Sequence, residues 1–120
     1  MALQLILDER DIPMYDWGRE INFKIYDENN NPYNCSFATG GAVLKTFDRF
    51  GNQIINDITV TWTNEAQGQG FFQYSNQYRP SEIGAYYVCV QMWDNAGPPP
   101  NEQISTGFFR ITFTPQPSEF

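Results

Sequence analysis

The chain has 120 residues, and fourteen Asp+Glu against seven Lys+Arg leave it at −7, a charge that repels phosphate and makes it a poor candidate for general nucleic-acid or anionic-membrane binding. It contains no histidine, which removes His-based triads, His-ligated zinc and imidazole proton shuttles. Aromatics make up 17% and charged residues only 18%, with Asn, Gly and Pro for turns. This is an all-β composition in a chain of single-domain size.

Ala2 to Leu7 reads as a first strand with Leu3, Leu5 and Leu7 on one face. Asp8 to Trp17 reads as an irregular acidic connector, so residues 1–17 form an N-terminal strand and connector. In the next strand, Ile21, Phe23 and Ile25 alternate with Asn22 and Lys24, and Asp27 to Pro32 stops it, since Asn tolerates turn geometry and Pro lacks a ladder donor. Ala42 to Asp48 is predicted as a strand, Arg49 to Asn52 as a hairpin tip and Gln53 to Asn56 as its return. Ile58, Val60 and Trp62 alternate with threonines, so one strand is predicted over 58–63 with Trp62 inward. Asn64 to Gly70 reads as a turn, Phe71 to Tyr74 as a short strand, and Pro80 to Ile83 has room for a helical turn. Gly84 to Asp94 is the longest strand, with Tyr86, Val88, Val90 and Met92 on one face. Gly97-Pro98-Pro99-Pro100 predicts a stiff loop. Ser105 to Thr114 is the last strand, with Ile111 and Phe113 inward, and 115–120 is a tail. Seven or eight short alternating strands without helical periodicity predict an antiparallel two-sheet β-sandwich.

Chemistry-bearing motifs are scarce. Glu82 to Tyr86 looks like a tyrosine corner, in which a bridging Cys would follow the Tyr by two residues. Val88 stands there, and Cys89 falls on the other face, so Cys35 and Cys89 are expected to stay unbridged. Asp27 to Asn31 resembles the start of a calcium loop, but Pro32 replaces the required Gly and Ala38 the required Glu. Asp8, Glu9, Asp11 and Asp16 read as a solvated charge run. Asn34-Cys35-Ser36 matches a glycosylation sequon; the opening residues lack a basic leader, so it reads as a chance match. No cofactor, metal or enzymatic activity is expected, and no apolar run approaches the ~18 residues of a membrane span. The candidate functional residues are aromatic and proline-rich: Trp17, Trp93, Pro98, Pro99, Pro100 and Phe120 as a protein interface, with a sugar-stacking platform at Trp93 and Trp17 as the alternative.

The order of several segments resembles the immunoglobulin-like N-terminal domain of the phage baseplate upper protein family. They are Asp16-Trp17-Gly18-Arg19-Glu20-Ile21-Asn22-Phe23-Lys24-Ile25, Asn29-Asn30-Asn31-Pro32, Thr39-Gly40-Gly41-Ala42-Val43, Gly70-Phe71-Phe72-Gln73-Tyr74, Gly84-Ala85-Tyr86-Tyr87-Val88 and Arg110-Ile111-Thr112-Phe113. Together they span roughly residues 16–114. The resemblance implies an immunoglobulin-like β-sandwich of seven or eight strands. It also implies a non-enzymatic virion role, as a tail or baseplate adaptor or a capsid decoration protein. The implied partners are other virion proteins and copies of itself in a symmetric assembly, with no nucleic acid or membrane and a glycan only as a secondary ligand.

Overall fold

A computed structural model describes residues 3–13, 16, 18–75 and 80–115. The alternating rows found in the sequence become strands wherever one face can be buried. Leu3, Leu5 and Leu7 turn inward on and beside β1 (Gln4–Leu7), as do Ile21, Phe23 and Ile25 on β3 (Ile21–Tyr26). Ala42, Leu44 and Thr46 do so on β4 (Gly41–Phe47), and Tyr86, Val88, Val90 and Met92 on β8 (Gly84–Trp93). The remaining strands are β2 (Asp11–Pro13), β5 (Ile58–Thr59), β6 (Thr61–Asn64), β7 (Gln69–Phe72), β9 (Gln103–Ser105) and β10 (Phe109–Thr114). One four-stranded sheet runs β1-β3-β7-β6; the other runs β2-β10-β8-β4-β5, with β9 also on β8. The inward rows of both sheets form one apolar cluster.

Several features correct the sequence reading, the first being the count: ten strands form among the described residues rather than seven or eight. The connector is not wholly irregular: Asp11–Pro13 pairs parallel with β10, Ile12 opposite Phe113, so the sandwich is not purely antiparallel. The 58–63 run is not one strand. It leaves one sheet at Thr59 and enters the other at Thr61, and the alternation survives because each sheet buries the face turned toward the other. Trp62 consequently sits on an edge strand beside a bulge, half-buried, with its ring edge-on to Phe23 at 5.6 Å, rather than inside. The Gln53–Asn56 return is reduced to a single bridge, Phe47 to Gln53. No helical turn forms over the described residues at 80–83; a 3₁₀ turn lies at Glu65–Gln67 instead.

The last strand is interrupted. Between the pairs Val88–Phe109 and Gln91–Ser105 the β10 side holds one extra residue, a β-bulge. Thr106 secures it: its N–H donates to the Val90 carbonyl (2.9 Å), and its Oγ1 accepts from the Val90 N–H (3.0 Å). The freed Gly107 N–H donates to the Leu3 carbonyl at 2.8 Å, tying the last strand to the opening segment.

Inside, a chain of edge-to-face rings runs Phe72–Tyr74–Phe113–Tyr86, with centroid separations of 5.4, 5.2 and 5.6 Å. The buried Tyr74 hydroxyl meets Thr46 Oγ1 on the opposite sheet at 2.9 Å, so each hydroxyl has a partner. Gly70 stands opposite Phe23 because a Cβ there would lie 2.8 Å from Phe23 Cζ.

Candidate functional site

Loops 27–40 and 94–102 meet at one end of the sandwich. Asp94 shapes the proline loop: its Oδ1 accepts from Ala96 N–H and Asn101 N–H, both at 3.1 Å, and its own N–H donates to Glu102 O. Pro98 and Pro99 are exposed and Pro100 is half-buried. Trp93 is half-buried over the backbone of Gly40 and Gly41: a Cβ on Gly41 would lie 2.8 Å from its Cζ2, and Gly40 N–H donates to Trp93 O at 2.9 Å. Gly41 also has φ +148°, where side-chain-bearing residues are strained. The indole is therefore packed on the backbone of the neighbouring strand. The structure thus brings Trp93 and Pro98–Pro100 to one end. Trp17 and Phe120 lie outside the described residues.

The carboxylates of this end serve the turns. Asp27 Oδ1 accepts from Asn29 N–H at 2.8 Å and Asn31 N–H at 3.0 Å. In the connector, Asp8 accepts from both the backbone and the side-chain amide of Asn22, and Arg19 lies between Glu9 and Asp16. Among the described residues, no three Cys, Asp or Glu gather as a metal site. Cys35 and Cys89 are both free and buried. Burial, with a smaller contribution from Glu65, pushes the Cys35 thiol up to about 12, and burial also raises Cys89. Thiols held protonated are poor nucleophiles.

The opposite end holds what the sequence reading missed. Asp48 Oδ1 accepts from Phe50 N–H (2.9 Å) and Asn52 N–H (3.0 Å), closing a tight hairpin that thrusts Phe50 outward. The amides, that of Asn52 first, hold the Asp48 carboxyl below its usual range, so it stays charged. Across from it, Tyr86 makes the predicted tyrosine corner, its hydroxyl donating to Glu82 O at 2.7 Å. That bond folds the chain sharply before β8 and leaves Ile83 facing solvent. Between the two turns lies an open depression of about 540 Å³, lined by Asp48, Arg49, Phe50, Ile54 and the 81–86 segment. Phe50 is 74%, Ile83 57% and Ile54 40% exposed; the other large hydrophobic exposed among the described residues is Phe108, at 64%. Three of these four therefore rim one depression. Phe50 was legible as part of a hairpin tip, but nothing in residue type alone shows that Ile54 and Ile83 converge on it.

Comparison of the chain with protein-family models, curated proteins and solved structures finds no match. No helix among the described residues is long and apolar enough to cross a membrane.

Proposed function

We propose that the chain is an immunoglobulin-like domain serving as a non-enzymatic structural protein of a phage virion. The role is that of a small tail or baseplate adaptor or a capsid decoration protein, held by contacts with other virion proteins and with copies of itself. The observation that carries this reading is strand order. The sheet β1-β3-β7-β6 corresponds to the A-B-E-D sheet of immunoglobulin-like sandwiches, and β10-β8-β4-β5 to a G-F-C sheet with an added edge strand. Tyr86 makes its corner bond at the start of the strand equivalent to F. This agrees with the family resemblance along residues 16–114. The link from fold to virion rests on that resemblance, because a sandwich of this kind hosts many functions.

The end carrying Trp93 and Pro98–Pro100 is one expected contact with neighbours, since a proline-stiffened loop loses little freedom on docking. Trp17 and Phe120 complete the proposed interface set. Mass spectrometry of purified particles tests the role: the chain is expected at a copy number matching a symmetric assembly. Deleting residues 115–120 should leave the domain folded and weaken its incorporation. Absence of the chain from purified particles would overturn the reading.

A further inference from the structure

We propose that the depression between the Asp48–Asn52 hairpin and the 81–85 segment is a docking site for a basic segment of another protein. That segment would place a large apolar side chain among Phe50, Ile54 and Ile83 and a lysine or arginine beside Glu82 and Asp48. The exposed apolar side chains are concentrated rather than scattered. Exposed hydrophobic residues scattered singly are normal, whereas a contiguous group rimmed by polar residues marks an interaction surface. Here Phe50, Ile54 and Ile83 share one rim. Arg49 lies over the Phe50 ring at 4.9 Å, within cation–π range.

The occupant's charge follows from the surroundings. The lining carries Asp48 and Glu82 against Arg49. The Tyr86 hydroxyl between them has its pKa raised by burial first, then by Glu82 and, more weakly, Asp48, against a smaller lowering by its bond to the Glu82 carbonyl. The whole chain stands at −7. A second copy would bring the same negative charge to this surface, while a cationic segment would be steered toward it. Docking on this surface is a property of the chain alone, so it is tested separately from incorporation into a particle.

The experiment measures fluorescence anisotropy of three short labelled peptides titrated with the full chain: alternating Lys and Leu, alternating Lys and Ser, and alternating Glu and Leu. The Lys–Leu peptide is expected to bind most tightly. Ile83→Asp and Phe50→Ser should each weaken it about tenfold or more, as anchor residues do. Both side chains are largely exposed, so near-UV circular dichroism should remain that of the parent. Glu82→Gln retains the backbone carbonyl used by Tyr86 and should weaken binding while flattening its salt dependence. Phe108→Ser, exposed but off this rim, should leave affinity unchanged. The proposal is overturned if the Glu–Leu or Lys–Ser peptide binds as well as Lys–Leu, or if Phe108→Ser costs as much as Ile83→Asp. It is also overturned if the chain alone sediments as a dimer that Ile83→Asp dissolves, which would make a second copy the occupant.

Discussion

Tyr74 and Thr46 illustrate how a single pair of hydroxyls can specify how two sheets meet. Each lies in the core, at 2% and 1% exposure, and each is the other's partner across the sandwich. Removing one hydroxyl leaves the other buried without a partner, at a cost of ~1–3 kcal/mol, whereas removing both leaves none. Tyr74→Phe and Thr46→Val should therefore each lower the urea midpoint, while the double variant loses less than the sum, with a coupling of ~0.5–3 kcal/mol. Strict additivity would mean that the two hydroxyls do not meet. The pairing was not legible in the sequence: Thr46 sits in an inward row as any β-branched residue would, and only the packing of the sheets shows what it faces. The tyrosine corner, by contrast, was readable from Glu82 and Tyr86, because that bond spans a fixed short separation along the chain.

Among the elements, the strands legible in the sequence are those whose alternation is paid out against one continuous core. β3 is the clearest, and its centre depends on a complementary gap: Phe23 occupies the space left by Gly70 on β7. Phe23→Ala should cost ~3–5 kcal/mol. Gly70→Ala should cost ~1–3 kcal/mol by overpacking, because its Cβ would crowd both Phe23 and the Thr61 carbonyl. Thermal unfolding checks both, and an unshifted midpoint for Phe23→Ala would contradict the buried register. β2 escaped the sequence reading because three residues ending in Pro13 show no alternation; their partner, Thr112–Thr114, lies at the far end of the chain. The exposed group at Phe50, Ile54 and Ile83 escaped for a related reason. Its members come from separate turns, and turns carry no periodicity that tells inside from outside.

For the molecule as a whole, buried acids that are neutral when folded set the response to alkali. The Cys35 thiol is raised from near 9 to about 12, and Tyr74 is raised above its ordinary value near 10, burial being the main cause in both. In the unfolded chain each group releases its proton at its ordinary pKa, so the unfolded state binds fewer protons and stability falls as pH rises. Their contribution is fully present below about pH 9 and declines above it, by up to about 1.4 kcal/mol per pH unit for each group. Chemical denaturation between pH 8 and 11 should show this decline, and Cys35→Ala should make it shallower than in the parent. A flat profile would indicate that water reaches the thiol.

The parallel pairing of β2 with β10 has a mechanical meaning. Tension that draws the opening residues and Pro115 apart along the strand direction slides these two strands past each other. Their hydrogen bonds then share the load and must fail together, whereas a hairpin peeled from its open end surrenders them one at a time. A strand of only three residues thus acts as a latch against stretching, and Ile12, buried opposite Phe113, is the side chain that seats it.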